Sequence, residues 1–309
     1  MSTYQINRIY SLVVGTQEKA IEITNLQMSF NVTKTSSNKE KKNNATVEIY
    51  NLQEEHQKLL EEKYVTVRLK VGYAGVVGDN EDMTVLFSGQ VVDNETKKDH
   101  TSRTTRKNTD IVTKLVIDEF FVEMNSKQIS KSVPSGRKVR DVITALADEM
   151  PDITRREIAG EAIETELPDG YPLTGTPRQI LDDLSSTYSL EWQIDNGVLY
   201  VSDRDGTYMK STNNVPLIGE FSGMVGRPEF KSANVRRIQR QNKHKSTDHI
   251  VSDSIQLKIL LNPTLTAGSI IKLEWGDLSG YYKVDEITHS GDYRGSSWYS
   301  DLILTPQRI

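Results

Sequence analysis

The chain has 309 residues, of which 26% are charged and 36% hydrophobic, a balance typical of a soluble protein with two or three domains. Its net charge of −5 argues against a general nucleic-acid binder, and the lack of cysteine excludes disulfides, thiolate catalysis and zinc–thiolate sites. The N-terminus lacks the basic start and long apolar run of a signal peptide, and no apolar run approaches membrane-spanning length. We therefore expect no membrane insertion.

Residues 1–118 alternate apolar and polar side chains, which predicts an all-β domain with one face of each strand in a core. The predicted strands are 26–32, 45–49, 65–73, 85–92 and 111–117. Residues 52–62 are rich in helix formers and predict one short helix inside this β domain. Gly89 lies within a predicted strand, where glycine indicates a bulge or a sharp bend such as a barrel corner.

Residues 119–205 predict an α+β domain that begins with an amphipathic helix. Its apolar residues recur at helical spacing and form one stripe. They are Val139, Val142, Ile143, Leu146, Ala147 and Met150. Pro151 follows directly and predicts the end of the helix. Val142 is therefore expected in the core of this domain.

A second helix in the same domain has a strong start signal. Thr176 is the predicted N-cap, Pro177 is the first helical residue, and Gln179 completes a capping box. Two alternating runs follow, separated by Asn196 and Gly197. Asn-Gly between such runs predicts a two-residue hairpin turn, because a type I′ turn needs positive φ at both positions.

Residues 206–309 return to a β pattern punctuated by glycine and proline. The run 270–275, a glycine-bounded link and the run 281–288 repeat the arrangement of 65–73 and 85–92 about two hundred residues earlier. The repeat predicts two related β-barrel domains, 1–118 and 206–309, that flank the α+β domain.

The chemistry-bearing residues give no catalytic, cofactor-binding or metal site. His244 and His249 lie in a lysine-rich run that would repel a cation. Asp203 begins a segment like a calcium loop, but the third acidic position and the closing glutamate are missing, so a turn is predicted. Residues 219–223 have the wrong spacing for a nucleophile elbow, and the pair at 182–183 is interpreted as solvated charge.

Basic runs and late aromatic residues remain to be interpreted. The runs at 34–44, 95–109 and 231–245 lack the interleaved aromatics of a nucleic-acid groove, which favours loops or contacts with acidic partner proteins. Aromatic residues gather between positions 275 and 299. They are Trp275, Tyr281, Tyr282, Tyr293, Trp298 and Tyr299. A sugar-binding face is conceivable, but barrel core or a protein interface is the commoner role for such residues.

The order of these segments resembles the baseplate hub proteins of contractile-tailed bacteriophages, the late control protein D type. The segment 43–73, followed by LFSGQV, resembles their first tube domain. Residues 132–150 and 175–201 are similar to the helical insertion and the helix–hairpin unit. Residues 262–304 look like the closing strands of the second tube domain. The resemblance carries over no catalytic residues.

This resemblance implies a structural protein of the virion, assembled in the host cytoplasm. Such hubs are homotrimers whose two tube-like barrels per chain give a pseudo-sixfold ring between a hexameric tail tube and a trimeric spike. The implied partners are the tube protein or tube initiator, the central spike, the tape measure protein and the baseplate wedge or sheath-side proteins. DNA only passes through the channel, and no cofactor and no enzymatic activity are expected.

Two alternatives stay open. A hub of a related contractile injection system, such as a type VI secretion spike, would have the same sequence features. A carbohydrate-binding or peptidoglycan-processing protein belongs to a different class. Glycosidases need two carboxylates at a set separation, and the sequence offers no convincing pair.

Overall fold

The computed structural model describes residues 7–16, 18–36, 43–62, 65–74, 82–98, 110–119, 121–204, 215–231 and 254–307. Strands account for 57% of the described residues and helices for 16%, which confirms the predicted mainly β class. Within these ranges, no helix has both the length and the hydropathy needed to cross a bilayer.

The first sheet unit consists of seven strands and one short helix. They are β1 (Arg8–Gly15), β2 (Ala20–Ile23), β3 (Met28–Thr35), β4 (Asn44–Tyr50), α1 (Glu54–Leu60), β5 (Thr66–Tyr73), β6 (Asp82–Lys98) and β7 (Ile111–Asp118). The alternating apolar residues face one core, where Leu12, Val47 and Leu115 are fully buried. Leu60 of α1 joins that core, so the single predicted helix is confirmed.

The middle unit is a compact α+β segment. Its elements are α2 (Phe121–Ser126), β8 (Ile129–Val133), β9 (Arg137–Lys138), α3 (Val139–Ala147), β10 (Arg155–Ala159), a 3-10 turn (Ala162–Glu164), β11 (Glu166–Leu167), β12 (Tyr171–Gly175), α4 (Pro177–Tyr188), β13 (Leu190–Asp195) and β14 (Val198–Asp203). The helices and the β10–β14–β13 sheet enclose a second core that is separate from the first.

Local sequence signals in the middle unit are confirmed. The predicted stripe of α3 is buried, although the helix ends at Ala147, before the predicted end, and Met150 is buried just beyond it. In α4, Thr176 Oγ1 accepts from the Gln179 backbone N at 3.3 Å, and Gln179 Oε1 accepts from the Thr176 N at 2.9 Å. Asn196 and Gly197 both have positive φ and join β13 to β14.

The last sheet unit has six strands and a third core. They are β15 (Leu217–Gly219), β16 (Met224–Lys231), β17 (Ser254–Leu260), β18 (Ile270–Glu274), β19 (Gly280–Asp292) and β20 (Trp298–Gln307), with a 3-10 turn (Gly276–Leu278) after β18. The core contains Leu257, Ile287 and Leu302, which project from neighbouring strands.

Both sheet units have the same strand order. The first unit runs β1-β5-β6-β7-β4-β3, with β2 added beyond β1, and the last unit runs β15-β18-β19-β20-β17-β16. If β2 is left out and the six strands of each unit are numbered 1 to 6 along the chain, both units have the order 1-4-5-6-3-2. The predicted pairs 65–73/85–92 and 270–275/281–288 are present, antiparallel, and occupy equivalent places. The units differ at one edge, since β1 pairs antiparallel with β5 whereas the three-residue β15 pairs parallel with β18.

The expected closure of each unit into a barrel is not found among the described strands. Instead, the two units share one sheet of 13 strands. The physical reason is the pairing of β3, which would be a free edge of the first unit. It pairs antiparallel with β19, from Ser29 opposite Asp292 to Thr35 opposite Glu286. The edge is therefore satisfied by the other unit rather than by closure.

Candidate functional site

Polar side chains from all three units meet where β3, β13 and the 261–269 loop come together, a place here called the junction. Lys34 Nζ donates to Asp195 Oδ1 at 2.5 Å, and the two side chains are only 2% and 10% exposed. Thr266 Oγ1 donates to the second oxygen of the same carboxylate at 2.7 Å. Asp195 thus joins a residue of the first sheet unit to one of the last.

Strand β13 supplies the polar face of the junction by simple alternation. Leu190, Trp192 and Ile194 face the core of the middle unit. The residues between them face the sheet units: Glu191 accepts from Lys283 Nζ at 3.0 Å, and Gln193 Nε2 donates to the Ala267 carbonyl at 2.7 Å. Because both faces of the strand are covered, its polar residues form ion pairs and hydrogen bonds with the sheet units instead of being solvated.

Glu119, directly after β7, extends the junction toward the β13–β14 turn. Its carboxylate accepts from Asn43 Nδ2 at 3.0 Å and from the backbone N of Asn196. Asn43 Nδ2 also donates to the Ile194 carbonyl at 2.6 Å, and Asn43 Oδ1 accepts from the Thr35 backbone N at 3.0 Å. These bonds fix the ends of β3, β4 and β7 against the middle unit.

Burial shifts two titratable groups at the junction in opposite directions. Desolvation, and then the neighbouring Asp195 carboxylate, raise the pKa of Glu119 to about 8, against the opposing effects of Lys34 and the donors. Desolvation, and then Lys34, lower the pKa of His289 on β19 to about 3. His289 is fully buried and its Nδ1 pairs with Ser300 Oγ at 2.8 Å.

The sequence did not indicate the junction. Lys34 was assigned to a basic loop at 34–44 that would contact partner proteins. The structure corrects this, because Lys34 belongs to β3 and is buried in an ion pair. The pair at 182–183 was also interpreted as solvated charge, yet Asp182 is half-buried and accepts from Trp192 Nε1 at 3.1 Å. The partner of Lys34 lies 161 residues away in the sequence, so a local pattern cannot indicate it.

The other sequence candidates are distributed without forming a reactive site. Asp203 accepts from the backbone N atoms of Glu161 and Ala162, so it caps a 3-10 turn. Ser222 in the 219–223 segment accepts from the Gly219 backbone N, which makes a turn. In the described ranges, no group of three or more His, Asp or Glu side chains is placed to hold a metal ion. His244 and His249 lie outside those ranges, as do 37–42, 99–109 and 232–245 of the basic runs.

Four of the six late aromatic residues lie in or against two different cores and do not form one face. Trp298 is buried in the first core, edge-on to Phe30 with centroids 5.4 Å apart, while Tyr293 lies edge-on to Tyr10 at 4.8 Å. Tyr282 is buried in the third core, where Trp275 packs against it from the rim. A continuous sugar-binding platform is therefore not formed by these side chains, and the predicted core role holds for Trp298 and Tyr282.

Comparison with solved structures finds the same fold in tail proteins. A tail protein from Neisseria meningitidis MC58 has TM-score 0.63 and 11% identity, over 96% of this chain and 97% of that one. The 43 kDa tail protein of prophage MuSo2 from Shewanella oneidensis has TM-score 0.59 and 10% identity, over 97% and 99%. Comparison of the sequence with protein-family models, and with curated proteins, finds no match.

A secretion protein shares the fold as well. An Escherichia coli protein described as a component of the type VI secretion system, similar to the T4 tail proteins gp27 and gp5, has TM-score 0.54 and 10% identity. It is matched over 91% of this chain and 74% of its own length. At such low identity the likeness establishes the fold over nearly the whole chain, and function must be argued separately.

Proposed function

We propose that the chain is a structural baseplate hub, a trimeric ring that joins a hexameric tail tube to a trimeric central spike and lines the DNA channel. The observation that carries the proposal is the repeated strand order within one chain. Two equivalent sheet units per chain give six equivalent positions in a trimer, which matches sixfold and threefold neighbours at the same time.

The division of the chain follows from this role. Segments 1–118 and 206–309 are the tube-like parts, and 119–205 is an appendage that the junction fixes to both. The shared fold with tail proteins supports this arrangement, as does a middle unit with its own core. The partners we propose are the tube protein, the spike, the tape measure protein and the neighbouring baseplate proteins, within a virion.

Removal of the chain tests the role directly. In cells that produce the particle but lack this chain, we expect no spike-tipped tubes, because tube and spike have mismatched symmetries and need an adaptor. Complementation with the intact chain restores them. Tubes of normal length that carry a spike in the absence of the chain would contradict the hub role.

A second candidate is the same hub role in a type VI secretion spike or another contractile injection system. The fold shared with the Escherichia coli secretion component supports it. The two candidates differ in what the particle contains. Encapsidated DNA in particles that carry the chain supports the phage assignment, and DNA-free particles support the injection system.

We also propose that the chain has no enzymatic activity of its own. Among the carboxylates of the described residues, Asp195 and Glu191 are held in buried ion pairs and Asp203 caps a 3-10 turn. Purified protein incubated with isolated cell walls should release no muropeptides or reducing ends. Steady release that survives repurification would overturn this proposal.

A further inference from the structure

Beyond their common strand order, the two sheet units share the register of their central strand pairs. Ile49 pairs with both Met28 and Thr113, and Ile259 pairs in the same way with Met224 and Ser300. The long fifth strands, β6 and β19, carry a bulge at the same place. In β6 it falls between Val91 and Asp93, and in β19 between Val284 and Glu286. Apart from β2 and the bulge of β16, the shared registers assign the paired residues of one unit their counterparts in the other.

One pairing breaks the equivalence, and it is the pairing that joins the units. After its bulge, β19 pairs on one side with β20 and on the other with β3. After its bulge, β6 pairs on one side with β7, and no described strand lies on its other side from Asp93 to Lys98. All of these residues are exposed. The counterpart of β3 is β16, whose outer edge is also unpaired among the described strands.

We propose that β16 of one copy pairs antiparallel with the free edge of β6 in the next copy, as β3 pairs with β19 within the chain. This inference rests on the trimeric ring of the proposed function, and it identifies the surface through which neighbouring copies make contact. The known register of β3 and β19 fixes the new register. It places Glu229 opposite Lys97, Phe230 opposite Thr96 and Lys231 opposite Glu95, the counterparts of Asn31–Ser290, Val32–His289 and Thr33–Thr288.

The charges at this register are complementary. Glu229 meets Lys97, so this cross-strand pair joins opposite charges. Within the described part of the single chain, Lys97 forms an ion pair with Glu95 two residues away, and both side chains are largely exposed. Phe230, 65% exposed, falls on the opposite face, where the pairing covers it. A shift by one residue would put the charged side chains on the wrong face.

A second copy supplies the partner strand, because β16 and β6 of one chain do not pair with each other. Seven strand spacings, roughly 34 Å along the sheet, separate them. The bulge in β16 includes Pro228 and disrupts the regular strand edge before Glu229. Pairing with another strand is therefore confined to residues 229–231, the end of β16. Because β16 and β6 are different surfaces, the contact is head-to-tail, the type of contact that forms a ring when the rotation between copies closes.

Cysteine cross-linking tests the pairing in a chain that has no cysteine of its own. The double variant Phe230→Cys/Thr96→Cys is assembled into particles and oxidised. Residues opposite each other on paired strands lie within disulfide distance. We expect reducible bands of two and three chains, at least about tenfold stronger than in either single-cysteine variant.

A matched control shifts one cysteine along the same strand. Asp93 is three residues from Thr96, about 10 Å along β6, so Phe230→Cys/Asp93→Cys should cross-link little. A charge exchange gives a second, independent readout in the cross-linking background. Glu229→Lys should lower the yield several-fold, and adding Lys97→Glu should restore it.

The copy number of the chain in the same particles separates this inference from the hub role. Three copies with the expected cross-link support both. Three copies without cross-linking at 230 and 96, or with equal yield in the shifted control, overturn the pairing and leave the hub role intact. A cross-link in particles that hold another number of copies supports the pairing and overturns the trimeric hub.

Discussion

Lys34 and Asp195 connect the first sheet unit to the middle unit through a buried ion pair. Their ion pair is buried, so its contribution depends on the bonds that surround it rather than on attraction alone. Asp195 accepts from both Lys34 and Thr266, which satisfies both of its oxygens. Glu119 adds a second acid nearby. Removal of the Lys34 side chain therefore leaves the buried Asp195 carboxylate without the cation that pairs with it.

We predict that Lys34→Met destabilises the protein by about 3–5 kcal/mol, because it leaves a buried carboxylate unpaired. Urea unfolding followed by circular dichroism measures the change. The control is Lys58→Met, which removes an exposed pair with Glu54 on α1 and should cost less than about 1 kcal/mol. Equal effects of the two substitutions would mean that the junction pair contributes no more than a surface pair.

The pKa of His289 predicts loss of stability in acid. Its folded pKa of about 3 lies below the ordinary 6.5, so between these values the unfolded chain binds more protons and stability falls as the pH falls. One such group gives a slope of up to about 1.4 kcal/mol per pH unit. In His289→Asn, which keeps an acceptor for Ser300, the slope between pH 6.5 and 4.5 should be smaller. An unchanged slope would show that other groups cause the acid loss.

The raised pKa of Glu119 predicts that stability falls as the pH rises. Its folded pKa of about 8 lies above the ordinary 4.5, so the folded state keeps a proton that the unfolded chain releases. Its contribution to stability therefore declines as the pH rises from 4.5 to 8. In Glu119→Gln the decline should be reduced, which unfolding curves at pH 5 and pH 8 would measure. A decline as steep as that of the parent would assign it to another group.

At the scale of single elements, what could be predicted depended on whether the signal was local. The capping box of α4, the Asn-Gly turn and the stripe of α3 involve neighbours in sequence, so the pattern contained the whole interaction. Strand β13 is different. Its polar face alternates as a solvent face would, yet it is buried because Lys283 and Ala267 of the last sheet unit lie against it.

Val142 on α3 tests the core of the middle unit. The side chain is fully buried, so Val142→Asp introduces a charge without a partner and should cost several kcal/mol. Thermal unfolding measures the change. The control Phe221→Asp places the same residue at a 98% exposed position and should leave the unfolding temperature nearly unchanged. A Val142→Asp variant as stable as the parent would show that this face is not buried.

Gly291 on β19 tests the strand that joins the two sheet units. A Cβ at this position would lie 2.2 Å from the ring of Phe30, which is itself held against Trp298. Gly291→Val should therefore overpack the β3–β19 contact and cost about 1–3 kcal/mol. A smaller partner, Phe30→Leu, should recover part of the loss when the two changes are combined. Full additivity of the two costs would mean that the residues do not compete for this space.

At the scale of the whole molecule, the repeat could be predicted from the sequence but its consequence could not. The strand–glycine–strand echo indicated two related units, and they have the same strand order. The same echo, with Gly89 inside a strand, predicts two barrels, but the described strands do not close into barrels. The partner of β3 turned out to be β19, a strand more than two hundred residues away, and no pattern near β3 identifies it. A ring-forming protein of this kind requires edge strands that can pair with neighbouring units.

The proposed hub role places this chain in a threefold ring between tube and spike. Cryo-electron microscopy of the assembled particle reads copy number and position from the same map. We expect three copies on the tail axis, between tube and spike, with the sheet units in six equivalent positions around the channel. Six copies, or copies found only at the periphery, would contradict it.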